Sequence, residues 1–133
     1  MKRDMDLVRD MLSTIEKGSS WFSAPENIKI EGWEAGEIRY HLAIMADAGL
    51  VMREVTTVIK GNGLTAVRVG DRPGNYRMTW AGHDFLESVR DPEVWKRTKD
   101  GVSKMGGWTF GLLKDMATAY AKHLAKERLG LDL

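Results

Sequence analysis

A predicted helix over residues 34–48 runs without a linker into a predicted β-hairpin, and this order indicates a mixed α+β fold. The apolar positions of the helix recur at helical spacing, at Ile38, Leu42 and Met45. Gly49 follows where a helix C-cap belongs. Residues 50–59 are rich in β-branched side chains, and residues 64–69 alternate between apolar and polar ones. Gly61-Asn62-Gly63 supplies the turn between these two predicted strands.

Further helices are predicted on both sides of this segment, over residues 3–17, 80–90, 92–104 and 109–129. The first has an apolar stripe formed by Met5, Val8, Met11, Leu12 and Ile15. Short strands are predicted at Ile28–Ile30 and at 75–79, and Thr79 is a suitable N-cap for the helix after it. The order helix, short strand, helix, hairpin, helix is that of a winged helix-turn-helix. The helix at 34–48 takes the recognition position and the hairpin is the wing.

The last predicted helix indicates a C-terminal helical extension. We therefore predict a winged-helix domain over residues 1–90 and the extension over residues 91–133. The apolar face of the last helix is formed by Phe110, Leu113, Met116, Ala117, Tyr120 and Leu124. It is broad enough either to pack on the winged-helix domain or to pair with the same helix of a second chain in a homodimer.

The charges are distributed unevenly, although the net charge is only +1. Residues 1–52 hold six Lys and Arg against nine Asp and Glu, whereas residues 53–80 hold five against two. The basic residues on or beside the hairpin are Arg53, Lys60, Arg68, Arg72 and Arg77. A basic wing is suited to contact the phosphates of double-stranded DNA. The alternative is that these side chains keep exposed strand edges soluble.

The proposed recognition helix is less favourable for DNA. Its outward face offers Arg39 and Tyr40 as the best candidates to contact bases, but Glu34, Glu37 and Asp47 would be repelled by phosphates. Taken alone, the helix favours a packing role. The predicted DNA-contacting residues are therefore Arg39, Tyr40, Lys60, Arg68, Arg72 and Arg77.

Catalytic and metal-binding patterns are missing from the sequence. There is no cysteine, which excludes disulfides, thiolate zinc sites and cysteine nucleophiles. The three histidines form no HxxxH or HExxH pattern, and no nucleophile elbow is present. We predict a protein that is not an enzyme and that uses no metal or cofactor. His41 is expected to be a hydrogen-bonded core residue.

Five tryptophans are many for 133 residues. Helix-to-helix packing is expected for Trp33, Trp80, Trp95 and Trp108, whereas Trp21-Phe22 is expected to be an exposed pair. No apolar run approaches the roughly 20 residues that a bilayer span needs. The segment MKRDMDLVRDML carries acids where a secretory signal needs an apolar core, so we expect a cytoplasmic protein with no membrane contact.

Two segments carry a family resemblance. HLAIMADAGLV and YRMTWAGHDFL are similar to the segments that end the recognition helix and leave the wing in bacterial winged-helix regulators. Together with MKRDMDLVR, Arg90-Asp91 and Trp95, they resemble the domain of unknown function 2513 family of phage- and prophage-associated bacterial proteins. This resemblance implies a winged-helix fold and a phage setting. One departure is Gly36, in a helical turn where such regulators commonly place Ser or Thr.

Two functions are left open by these patterns. The first is a small DNA-binding or regulatory protein of phage type, and it is favoured by the basic hairpin and the fold. The second is a protein-interaction module that docks a host or phage protein, for example to block a defence system. The mixed charge of the recognition helix favours this second function.

Overall fold

A computed structural model describes residues 1–19, 22–53, 75–106 and 109–130 in full, and residues 56–60 and 64–68 by their backbone. The helices are α1 (Met5–Lys17), α2 (Ala35–Asp47), α3 (Trp80–Val89), α4 (Pro92–Lys104) and α5 (Phe110–Leu129). The strands are β1 (Val51–Arg53), β2 (Thr56–Lys60), β3 (Leu64–Arg68) and β4 (Tyr76–Met78). A 3-10 turn covers Pro25–Asn27. The chain is thus a mixed α+β protein, as predicted.

The chain forms two compact units, Met1–His83 and Asp84–Leu133. The division into a winged-helix domain over residues 1–90 and a helical extension over residues 91–133 stays a prediction.

α1 contributes a continuous apolar stripe to the core of the first unit. Its buried residues are Met5, Leu7, Val8, Met11, Leu12 and Ile15. The helix begins at Asp4, whose Oδ1 accepts a hydrogen bond of 3.0 Å from the Leu7 N–H. It ends at Lys17, where a positive charge suits the negative end of the helix dipole. The predicted stripe is therefore confirmed, with Leu7 added to it.

α2 ends in a Schellman motif. Gly49 takes the left-handed backbone conformation, with φ of 78°, directly after the C-cap Ala48. The Gly49 N–H donates to the Ala46 carbonyl at 3.0 Å, and the Leu50 N–H donates to the Met45 carbonyl at 2.9 Å. Leu50 and Met45 are both buried. The helix therefore stops in a defined turn that delivers the chain into β1.

β1 and β4 form an antiparallel pair at the base of the hairpin. Their partners are Val51 and Met78, Met52 and Arg77, and Arg53 and Tyr76. On the far side of β4, Ser23 and Tyr76 exchange two backbone hydrogen bonds, of 2.7 and 2.9 Å. Ser23 thus adds a single residue of β-structure beside β4. Val51, Tyr76 and Met78 are buried, so one face of this small sheet joins the core.

β2 and β3 form a second antiparallel ladder, which pairs Thr56 with Arg68 and Lys60 with Leu64. The strand predicted over residues 50–59 is confirmed at 51–53 and 56–60, and these two parts pair with different strands, whereas residues 54–55 lie outside the described residues. The segments between the two ladders differ in length, residues 54–55 on one side and 69–75 on the other. A continuous ladder needs equal lengths on both sides. The turn predicted at 61–63 lies outside the described residues.

The strand predicted at Ile28–Ile30 is wrong. The chain forms the 3-10 turn just before it, and the Ile28 N–H donates to the Pro25 carbonyl at 3.1 Å. Ile28 is buried at 3% exposure and anchors an irregular segment to the core. The position beside β4 is taken by Ser23 instead.

The start of α3 is bonded to the turn at the end of α2. Thr79 is the N-cap of α3, because its Oγ1 accepts a hydrogen bond of 3.0 Å from the Gly82 N–H. The same hydroxyl donates to the Gly49 carbonyl, and the Thr79 N–H donates to the Leu50 carbonyl at 3.1 Å. A Cβ added at Gly82 would lie 2.1 Å from the Leu50 carbonyl oxygen. This close approach requires glycine.

In the second unit, α4 and α5 pack against each other. The buried residues of the pair are Val94, Trp95, Thr98, Val102, Leu113, Ala117 and Leu124. Gly101 leaves room for the side chains of Met116 and Tyr120. Thr98 Oγ1 is satisfied within its own helix by the Val94 carbonyl at 2.7 Å.

An ion-pair cluster joins the beginning of α4 to the end of α5. Asp91 is the N-cap of α4 and accepts from the N–H groups of Glu93 and Val94. Arg128 donates to Asp91 at 2.7 Å and to Glu93 at 3.2 Å. The hydrogen bond from Arg128, followed by the bonds from the helix N–H groups, lowers the pKa of Asp91 below its ordinary value of 3.8.

We predict that Gly82→Ala destabilises the protein by about 1–3 kcal/mol, because the new methyl group overlaps a backbone oxygen that cannot move without breaking the α3 junction. Urea unfolding followed by circular dichroism measures the change. Gly111→Ala is the matched control, since a Cβ at Gly111 meets nothing within 4 Å. An equal stability for the Gly82→Ala variant and the wild type would contradict the prediction.

We predict that Arg128→Gln lowers the melting temperature at pH 7 and that this effect shrinks as the pH falls below 3.8. The folded-state pKa of Asp91 is lowered, so the ion pair stabilises the protein above pH 3.8 and is lost as pH falls through the folded-state value. Melting temperatures of both proteins between pH 7 and pH 3 test this. Lys122→Gln, at an exposed position on α5, controls for loss of a charge.

Candidate nucleic-acid interface

The exposed face of α2 carries both predicted base-contact residues. Arg39 is exposed, and Tyr40 is 37% exposed. Ala43 and Asp47 continue the same exposed face toward the end of the helix. The buried face carries Ile38, His41, Leu42 and Met45, as predicted. Arg39 and Tyr40 are therefore available to a partner molecule.

The acidic residues of α2 have a structural role at the start of the helix. Glu37 Oε1 accepts a hydrogen bond of 3.2 Å from the Glu34 N–H, which is the reciprocal bond of a capping box. Two carboxylates near the helix N-terminus also suit its positive dipole. This explains why a helix at this position is acidic. The same charges oppose the approach of a phosphate.

His41 is a core histidine with both ring nitrogens bonded, as predicted. It is 1% exposed. Nδ1 lies 2.8 Å from the Glu37 carbonyl oxygen and donates to it, whereas Nε2 accepts from the Asp4 N–H at 3.0 Å. These two bonds select the neutral ring with its proton on Nδ1. His41 thereby ties the start of α1 to the middle of α2.

Two aromatic rings lie against His41. The Tyr40 ring meets it edge-on, with centroids 5.7 Å apart and planes at 85°. The Trp33 ring is tilted, with centroids 6.2 Å apart, and it is half-buried. Tyr40 is therefore held beside a fixed ring instead of being free in solvent. This limits the conformational freedom that it would lose on binding.

For the hairpin, the structure describes the backbone of residues 56–60 and 64–68. The β2–β3 register places Lys60 opposite Leu64 and Arg68 opposite Thr56, and positions two apart along a strand share a face. Lys60 and Arg68 therefore occupy positions on one face of this ladder. Arg72 lies outside the described residues.

Arg77 and Met52 are cross-strand partners on the outer face of the β1–β4 pair. Met52 is 50% exposed and Arg77 is half-buried. The Arg77 guanidinium donates to the Met52 sulfur at 3.2 Å and is 3.5 Å from the Met78 carbonyl oxygen. Arg77 is thus partly engaged within the protein, and less available to a phosphate than its charge suggests.

The tryptophans differ in how far they are buried. Trp95 is buried at 4% exposure, which confirms the expected packing. Trp80, by contrast, is 84% exposed, so the expectation that it packs between helices is wrong. At the first position of α3, the helix turns its opposite side, with Gly82, toward the Leu50 carbonyl. Trp21 and Trp108 lie outside the described residues, and Phe22 is half-buried.

A cavity beside α2 was not indicated by the sequence. Its volume is about 350 Å³, and it is lined by residues 1–4 together with Trp33, Glu37 and His41. No local pattern indicates a cavity between a chain end and a helix far along the sequence. The sequence feature that pointed toward this site was the pair Lys2-Arg3, which places two adjacent basic residues before α1.

Within the described ranges, no three His, Cys, Asp or Glu side chains are grouped so as to hold a metal ion. None of the described helices is long and apolar enough to cross a membrane.

These features define a small mixed α+β protein in which the glycine turn at Gly49 joins a helix to the first strand of a β-structure. The chain belongs to the DUF2513 family of hypothetical proteins, whose model matches residues 2–108. This confirms the family that the sequence motifs indicated. The match includes the junction of Gly49 and Gly82 and ends before α5.

The chain is 27% identical over 102 residues to an "Uncharacterized protein" of Haemophilus influenzae. This match covers 77% of the present chain and 79% of the relative. No solved structure matches the chain.

We predict that His41→Phe destabilises the protein by about 1–3 kcal/mol, because it leaves the part-buried Asp4 N–H without its partner. Thermal and urea unfolding measure the loss. Arg39→Ala is the neighbouring control, and its cost should stay within about 0.5 kcal/mol because Arg39 is exposed on the surface. If the two variants are equally stable, the bonds to His41 do not stabilise the fold.

Proposed function

We propose that the protein is a small winged-helix DNA-binding protein, of the regulatory type expected for phage or prophage. The observation that carries this proposal is the strand order Ser23, β4, β1, with α1 before it and α2 leading directly into the hairpin. A winged helix has this arrangement, with its recognition helix immediately before the wing. α2 and the β2–β3 ladder then take these two roles.

The site supports phosphate contacts more than base reading. α2 offers Arg39 and Tyr40 to base edges, but its N-cap is Glu34 and its first turn carries Glu37. The element before it is a single 3-10 turn, so the helix that crosses the backbone in a complete helix-turn-helix is reduced. Binding that is dominated by phosphates is strongly dependent on salt. We therefore expect DNA affinity to depend mainly on the hairpin.

We predict micromolar binding to mixed-sequence duplex DNA that weakens steeply with salt. Fluorescence anisotropy of a labelled duplex at several salt concentrations measures it. Lys60→Glu/Arg68→Glu, which reverses two charges on one face of the hairpin, should raise Kd by about tenfold or more. The control is Lys114→Glu/Lys122→Glu on α5, which makes the same change in net charge. Equal loss in both variants would indicate an effect of net charge alone.

Base contacts need a separate test. Duplexes selected by the wild-type protein from a random library identify a preferred sequence, if one exists. Arg39→Ala should then reduce the preference for that sequence by about 1–3 kcal/mol, while weakening binding to random DNA much less. Equal weakening on both DNAs would make Arg39 a phosphate contact.

A second function, a protein-interaction module without DNA binding, is favoured by the exposed apolar side chains. Trp80 is 84% exposed and Met52 is 50% exposed. Tryptophan is enriched in the energetic centres of protein interfaces. The partner would be a host or phage protein, and a homodimer through α5 is a further possibility for assembly. Absence of DNA binding even at low salt would select this function.

A further inference from the structure

Residues Met1–Asp4, which we call the N-terminal arm, are anchored to α2. Asp4 is held twice: its side chain caps α1 by accepting from Leu7, and its backbone N–H donates to Nε2 of His41. At the other end of the arm, a Cβ added at Gly36 would lie 3.9 Å from Met1 Cε. The arm therefore runs beside the first half of α2, from Gly36 to His41.

The position of Lys2 and Arg3 follows from these anchors. Both residues lie between Met1, whose side chain is exposed, and the anchored Asp4, and both are themselves exposed. Consecutive Cα atoms are about 3.8 Å apart, so neither residue can lie far from α2. Both also line the cavity that Glu37 and His41 border. Two cationic residues thus lie beside the first half of α2, and Glu37 of that helix borders the same cavity.

This placement changes the electrostatics of the proposed interface. In DNA-reading helices, the N-terminal residues approach the bases, and phosphates flank the groove on both sides. The first half of α2, taken alone, presents carboxylates to those phosphates. Lys2 and Arg3 supply two positive charges at the same end, next to Asp4, which bonds to His41 37 residues further along the chain. Cations there offset the repulsion.

We propose that the N-terminal arm is a DNA-contacting element and that Lys2 and Arg3 bind phosphates beside the groove that α2 enters. This inference rests on the proposed DNA-binding function and adds a second phosphate-binding element to it. A flexible basic segment would lose much of its freedom on binding. The anchor at His41 places this one before DNA arrives, which reduces that cost.

The test is the salt dependence of DNA binding by Lys2→Gln/Arg3→Gln in the full chain. Each lost phosphate contact lowers the slope of log K against log salt by about 0.9, so we expect a decrease of about 1.8 together with weaker binding at low salt. Lys114→Gln/Lys122→Gln on α5 is the charge-matched control and should keep the wild-type slope. Circular dichroism and the melting temperature of each variant verify that the fold is retained.

The outcomes separate the inference from the function on which it rests. If the wild type binds DNA and the arm variant keeps the wild-type slope and affinity, the arm is not a contact, although the proposed function stands. If the arm and control variants lose the same amount, the effect is one of net charge and the inference fails. If the wild type does not bind duplex DNA at low salt, both the inference and the proposed function are wrong.

Discussion

The close contact between Gly82 and the Leu50 carbonyl is the constraint on which the first unit depends. The turn at Gly49 ends α2 and starts β1, and Thr79 bonds to the carbonyls of both Gly49 and Leu50 as it caps α3. One junction therefore sets the end of a helix, the pairing of β1 with β4 and the start of the next helix. Any side chain at position 82 would push these elements apart. The motif residues that identify the family thus meet in space, and they meet for a structural reason.

A second long-range contact connects the fold to the proposed interface. His41 uses both ring nitrogens, one on the Glu37 carbonyl of its own helix and one on the Asp4 N–H at the start of α1. This holds the N-terminal arm beside α2 and supports the ring of Tyr40. The carboxylate of Glu37 is bonded to the helix start. The acids that weaken a DNA-reading role for α2 are therefore explained by capping, and cations from elsewhere in the chain are needed for a nucleic-acid surface.

Local patterns in the sequence correctly predicted those features of the fold that depend on residues close together in the chain. The apolar stripe of α1, the N-cap at Thr79 and the glycine at position 49 follow from helical spacing and from residues that cap helix ends. The predictions that differ from the structure concern which segments pair with each other as β-strands. Alternation at Ile28–Ile30 is compatible with a strand, but Ser23 is the residue that meets Tyr76. β-branched residues continue past Arg53, yet β1 and β2 have different partners because the opposite side of the hairpin is longer.

The sequence by itself determined the mixed α+β class, the position of each helix and the family, because periodicity, capping residues and motif spacing are written along the chain. It also determined which residues of α2 face the core. Only the tertiary structure decided that Lys2 and Arg3 lie beside α2, that Arg77 is engaged with Met52, and that Trp80 is exposed. Each of these depends on contacts between residues far apart in sequence or on the direction in which a helix meets its neighbour. The geometry of such contacts is settled by packing, and no local pattern of residues specifies it.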